Sequence, residues 1–213
     1  MQSDNKNSID QRFTMTKKHH KETLQKAIDD KKVDEILIPF LNEVTKIPDI
    51  FTSSSCAGRI MLLSTDELED KEVSHFHKRY HRTITFDELK KDLDEDTKEM
   101  DIWFKVEPFI FHFGTKDYEK AKEVLRFCSE FGLKKAGIIT SKDGKYIIEA
   151  TATQYMALPL KANNKLLVDE DYLHFILDRG NKKLKINYQI LDRFEKEFLR
   201  KFKKKEEKIK KEK

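Results

Sequence analysis

The stretch Ile102-Trp103-Phe104-Lys105-Val106-Glu107-Pro108-Phe109-Ile110-Phe111-His112-Phe113 constrains the fold more than any other part of the chain. Aromatic and β-branched residues dominate it, and such residues favour the pleated, half-buried surface of a sheet. Pro108 has no N–H to give to a ladder, so a regular central strand cannot run through it. One or two strands are therefore expected, with Pro108 as the interruption. The 213 residues suit one compact domain, or two intimately packed halves, and 15 Phe supply core material although 38% of the chain is charged.

Helices are expected around this sheet. Leu24 and Ile28 mark a thin apolar stripe, and Ile36, Leu37, Phe40, Leu41 and Val44 a stronger one, before Pro48 closes the region. Asp49–Thr52 reads as extended, Ser53–Arg59 as a polar loop and Ile60–Leu63 as a second strand. The charge-rich segment from Asp66 to Lys98 reads as helical. Thr115 is placed to cap a helix whose apolar face carries Tyr118, Ala121, Val124, Leu125, Cys128 and Phe131, with Gly132 as its stop. Ala136–Thr140 and Lys145–Ala150 flank Asp143-Gly144, a hairpin signal. A strand over Met156–Leu160 and a turn at Asn163-Asn164 follow. Asp169 caps a helix with Tyr172, Leu173, Phe175 and Ile176 inward, broken near Gly180. A last helix carries Tyr188, Leu191, Phe194, Phe198 and Phe202. The expected class is α/β, or α+β: a single compact domain with a mixed central sheet flanked by helices. Residues 1–202 are expected to form the domain and 203–213 a basic C-terminal helical extension or tail.

The formal net charge of +4 is unevenly spread. From Arg200 to Lys213 there are nine Lys/Arg against three Glu, a local +6, so the rest of the chain carries about −2. Two distant cysteines, Cys56 and Cys128, make no disulfide framework, and no His/Cys cluster has zinc spacing. With no apolar run of the roughly 20 residues a membrane span needs, and no signal-peptide pattern at the start, a soluble, cytoplasmic chain is expected. There is no G-x-G, Walker-type loop or G-x-S-x-G, so neither a Rossmann-type cofactor site nor a nucleophile elbow is supported.

Ser53-Ser54-Ser55-Cys56-Ala57-Gly58-Arg59 combines hydroxyls, a thiol, a flexible glycine and an arginine, a donor set suited to a carboxylate or phosphate. The plain alternative is a polar turn between strands. Cys56 is either a nucleophile favoured by loop amides and Arg59 or a half-buried structural thiol. His112, between Phe111 and Phe113, is a core histidine or a ligand contact. His77 and His81 would be an i, i+4 pair on a helix, without a third metal ligand. Glu149 lies mid-strand in an apolar run, where a carboxylate needs a partner.

At Ser54-Ser55-Cys56-Ala57-Gly58-Arg59 the chain resembles the Ser-Ser-Cys-Ser-Gly-Arg signature of the wybutosine-synthesis methyltransferases. The likeness continues through Lys71, Tyr80-His81-Arg82, the Trp103-Phe104…Glu107-Pro108…His112 strand, the Ala121 helix, Gly132, Gly137, Glu149, Leu158-Pro159-Leu160 and Leu166-Leu167-Val168, about Asp34 to Phe202. It departs from that pattern at Ala57 (usually Ser), Tyr80 (usually Trp) and Thr151-Ala152 (often Arg-Ser).

The resemblance implies an S-adenosylmethionine-dependent N-methyltransferase on a non-Rossmann fold. Its substrate would be tRNA-Phe, at the 4-demethylwyosine-type guanosine 3′ of the anticodon. Ser54, Ser55, Cys56, Gly58 and Arg59 are then candidates to hold the cofactor's carboxylate, or a tRNA phosphate. His81, His112 and Glu149 are candidates for base or acceptor recognition. No metal is implied. A non-catalytic RNA-binding paralogue and a thiol hydrolase built on Cys56 are the competing readings.

Overall fold

The computed structural model describes residues 2–211, with side-chain surroundings for 7–203. Helices α1 (Gln2–Asp29) and α2 (Ile38–Thr45) precede strands β1 (Ile50–Cys56), β2 (Arg59–Thr65) and β3 (His75–Tyr80). Helix α3 (Phe86–Asp94) leads to β4 (Asp101–Glu107), β5 (Ile110–Thr115) and α4 (Tyr118–Phe131). Strands β6 (Lys135–Lys142), β7 (Lys145–Thr151), β8 (Met156–Ala162) and β9 (Lys165–Leu166) precede α5 (Glu170–Lys211). The chain mixes helix and strand as expected, but the strands form two sheets rather than one central one: β1-β5-β7-β6 and β3-β2-β4-β8-β9. Every pairing is antiparallel, so neither is a Rossmann-type sheet. Pro108 is where the chain changes sheets, between the end of β4 and the start of β5.

The chain divides into two compact units, residues 1–57, 109–152 and 190–213 in the first and 58–108 with 153–189 in the second. In the first, alternation along β5 sends Phe111 and Phe113 to one face, where they meet Phe40, Phe194 and Phe198. Phe113 and Phe198 stack at 4.5 Å and 14°. Fully buried aromatic rings in offset contact account for much of the apolar burial in this unit. His112 and Gly114 face the other way. Gly114 is required there: a Cβ on it would lie 2.0 Å from Cζ of Phe51, which packs with Phe13 of α1 and with Ile147.

In the second unit, Ile60, Leu62, Ile102, Phe104 and Val106 form one face of the five-stranded sheet and pack with Leu89 and Leu93 of α3 and Leu173, Ile176, Leu177 and Leu184 of α5. The opposite face of that sheet carries the odd-numbered residues of β4.

Several local expectations are corrected. Ser53–Arg59 is not a loop: β1 continues to Cys56 and β2 begins at Arg59, because Ser54, Ser55 and Cys56 find ladder partners in His112, Phe111 and Ile110. The region from Asp66 is not a continuous helix, since His75–Tyr80 pairs with β2 and sheet pairing overrides local composition. His77 and His81 therefore do not stand one helical turn apart; His77 Nε2 lies 3.0 Å from the Asp92 carbonyl.

The cap of α4 is Asp117, which accepts from the Lys120 N–H at 2.8 Å, while Thr115 ends β5. Gly132 ends α4 in the left-handed conformation (φ 101°), as its position suggested. Helix α5 is unbroken at Gly180, whose missing side chain lets the helix approach the buried Phe104 ring. Leu173 and Ile176 point inward, but Tyr172 and Phe175 are exposed. The helical extension expected after residue 202 is continuous with α5 to Lys211; the side chains of 204–211, and residues 212–213, lie outside the described residues. No described helix is long and apolar enough to cross a membrane.

Candidate active site

Strands β1, β5 and β7 set Ser54, His112 and Glu149 opposite one another in register. A β-bulge at Ser53, between the pairs Thr52/Phe113 and Ser54/His112, makes this alignment possible. Phe51 faces α1, so a regular strand would turn Ser54 toward the phenylalanine core; the extra residue turns it back. Neighbouring strands lie about 4.8 Å apart, which lets three side chains touch in a line. The Ser54 Oγ to His112 Nδ1 distance is 2.5 Å, and His112 Nε2 to Glu149 Oε2 is 2.8 Å.

The partners dictate the proton positions. An ionised carboxylate only accepts, so Nε2–H donates to Glu149. In the neutral ring Nδ1 is then the acceptor, and the Ser54 hydroxyl donates to it. Protonation of the ring reverses that last bond and leaves the imidazolium between a carboxylate and a hydroxyl oxygen. The His112 side chain is 22% exposed and that of Glu149 41%, so the line is open to a reactant. The fourth strand contributes Gly137 opposite Glu149, where nothing would lie within 4 Å of an added Cβ. The line thus ends in open space beyond Glu149.

Beside Ser54 lies a recess of about 200 Å³ in the same unit. Its lining includes His20, Thr23 and Lys32 with Thr52, Ser53 and Ser55 of β1. The His20 ring stacks on Phe51 at 4.8 Å and 9°. Burial first, then Lys145 and His19, push its pKa below the usual histidine value, which favours the neutral ring. His20 and Thr23 escape sequence reasoning, because in a lysine-rich helix a polar residue over a sheet looks like one facing water; Lys32, just past the end of α1, reads as an ordinary loop lysine.

The other sequence-derived candidates separate from this line. Cys56 ends β1, half-buried and paired with Ile110. Both ring nitrogens of His112 are engaged by Ser54 and Glu149, which leaves neither to activate a thiol. Gly58, with φ 94°, links β1 to β2. Arg59 belongs to the second unit, where its Nε and Nη2 donate to Glu107 Oε2 at 2.9 and 2.8 Å. His81 follows β3, and its carbonyl accepts from the Tyr188 hydroxyl at 2.7 Å. Tyr80, one of the departures from the resembled pattern, donates to the buried Asp92 at 2.6 Å, and burial followed by that carboxylate pushes the phenol up to about 12.

Two antiparallel sheets packed with helices, one carrying the hydrogen-bonded line Ser54–His112–Glu149, define an α+β protein that is not of the Rossmann type. Residues 6–200 match the family described as Methyltransferase TYW3, and the chain belongs to that family. A curated relative from Thermococcus kodakarensis is 35% identical over 84% of this chain and 84% of its own. It is named tRNA(Phe) 7-((3-amino-3-carboxypropyl)-4-demethylwyosine(37)-N(4))-methyltransferase 2. A Methanocaldococcus jannaschii protein, named as the same methyltransferase without the number, is 33% identical over 85% of this chain and 94% of its own. The solved structure of PH1069 from Pyrococcus horikoshii superposes with a TM-score of 0.82 at 28% identity, covering 89% of this chain and 97% of that one.

Proposed function

We propose that this methyltransferase moves a methyl group from S-adenosylmethionine to a ring nitrogen of the 4-demethylwyosine-type guanosine 3′ of the anticodon in tRNA-Phe. The observation that carries the reading is the hydrogen-bonded line Ser54–His112–Glu149, in a chain whose relatives are named for that reaction. Bound S-adenosylmethionine supplies an electrophilic methyl on a sulfonium; the chain's own residues manage the acceptor's proton. As the nitrogen gains its methyl, its N–H proton passes to His112 Nδ1, directly or through the Ser54 hydroxyl. Glu149 holds the ring orientation and stabilises the imidazolium, the role a carboxylate plays behind a catalytic histidine.

The recess beside Ser54 fits one end of the cofactor. Hydroxyls of Thr23, Thr52, Ser53 and Ser55 with the Lys32 ammonium are a donor set for a carboxylate, and about 200 Å³ admits an amino-acid end rather than a whole nucleoside. In this reading Ser54 and Ser55 stand on the cofactor side, while the Arg59 guanidinium is engaged by Glu107 in the second unit.

The test is transfer of label from S-adenosylmethionine to tRNA-Phe purified from a strain lacking this protein. Label in the modified purine is expected; its absence with the wild-type protein refutes the reading.

A further inference from the structure

The face of the second sheet that points away from its leucine and phenylalanine core is not an ordinary solvated surface. Register places Phe76 of β3 and Trp103 of β4 on either side of Leu63, with Pro159 of β8 next to Trp103. One row across four strands therefore reads Phe76, Leu63, Trp103, Pro159. The next row reads Arg79, Met61, Lys105, Ala157, and a third pairs Arg59 with Glu107. Phe76 is 43% exposed, a costly position for a phenylalanine on an edge strand unless something uses its ring.

The cations are laid against the rings. The Arg59 guanidinium carbon lies 4.7 Å from the Phe76 centroid and that of Arg79 4.9 Å, while Lys105 Nζ is 5.6 Å from the Trp103 ring. Glu107, the acid of the third row, has its Oε2 taken up by Arg59, so it orients that guanidinium. Three cations flank two aromatic rings about two strand spacings apart, roughly 10 Å.

We propose that this face is a stacking platform for single-stranded RNA, namely the unpaired nucleotides of the anticodon loop. This rests on the tRNA reading above. Phe76 and Trp103 offer ring faces to bases, while Arg59, Arg79 and Lys105 supply charge for the phosphates between them, the combination that binds unpaired nucleic acid without reading its sequence. Charge complementarity favours RNA over a protein partner, because Arg79 and Lys105 stand in the row beside the aromatic one.

Equilibrium binding of a fluorescent anticodon stem–loop to the full chain, titrated at several salt concentrations, decides the matter. Four proteins are compared: wild type, Phe76→Ala, Phe76→Tyr and Arg79→Gln. The platform predicts a dissociation constant about 10-fold weaker for Phe76→Ala. Arg79→Gln should lower the salt slope by about 1. Phe76→Tyr, which keeps the ring, should bind as wild type does and so exclude a folding defect.

If wild type binds and neither face variant differs from it, the platform is wrong while the tRNA reading stands. Failure of the wild type to bind the stem–loop removes the tRNA reading, and the platform with it. A shift from dimer to monomer in Phe76→Ala by sedimentation, with RNA affinity unchanged, would show the face to be a self-interface and overturn the proposal.

Discussion

Adding a single methyl at Gly114 gives a sharp test of how the first sheet is assembled. Its Cβ would lie 2.0, 2.3 and 2.4 Å from three atoms of the Phe51 ring, less than any carbon contact tolerates. The ring has little room to yield: Phe51 is 2% exposed, lies 5.9 Å centroid to centroid from Phe13 and stacks on His20. Replacing Gly by Ala in a strand is otherwise favourable by up to about 1 kcal/mol. Overpacking alone costs about 1–3 kcal/mol, but a contact at 2.0 Å expels the ring at a cost of about 3–5 kcal/mol, and subtracting the gain of about 1 kcal/mol leaves a net loss of about 2–4 kcal/mol.

For a chain of this length each kcal/mol moves Tm by about 2–4 °C, which puts the expected fall in the range of about 4–16 °C. Thermal unfolding followed by circular dichroism reads it. Phe51→Leu should relieve part of the penalty, so the double variant Gly114→Ala/Phe51→Leu should lose less than the two single losses combined. A Gly114→Ala protein as stable as wild type, or additive losses, would refute the packing argument.

Gly180→Ala carries the same logic into a helix. An exposed mid-helix site would gain about 1 kcal/mol from the change, but here the new Cβ would meet the buried Phe104 ring at 2.8 Å, so a lower Tm is expected and a higher one would contradict the close approach. The two thiols should differ in alkylation of the native protein. Cys128 is fully buried and burial pushes its thiol up to about 12, so mass spectrometry should find label on half-buried Cys56 well before Cys128; equal labelling would show that the α4 face opens readily.

How far these features could be read from the sequence depends on how local their causes are. The Asp143-Gly144 hairpin was legible because Gly144 must take positive φ, here 78°. So were the stop at Gly132 and the Asn163-Asn164 turn, each set by its own backbone. Leu191, Phe194, Phe198 and Phe202 were legible because their spacing repeats one helical face.

Gly180 misled for a non-local reason: the cause of that glycine is Phe104, far away in the chain. The strand His75–Tyr80 was hidden similarly, since its charged composition makes sense only with β2 beside it. For the site, Ser54, His112 and Glu149 were each picked out singly. Their contact was not legible, because it depends on the bulge at Ser53 and on two strand registers. The contacts of Arg59 with Glu107 and Phe76 were not legible, because they depend on the pairing of β2 with β4 and β3.

The central claim is that the line Ser54–His112–Glu149 takes the acceptor's proton during methyl transfer. Single-turnover label transfer to tRNA-Phe, measured for wild type, Glu149→Gln and His112→Ala, tests it directly. The account predicts a rate loss of about 10²–10⁴ for His112→Ala with unchanged tRNA affinity. Glu149→Gln, which cannot stabilise the imidazolium, should also slow transfer, with tRNA affinity unchanged. Wild-type rates in both variants would contradict it.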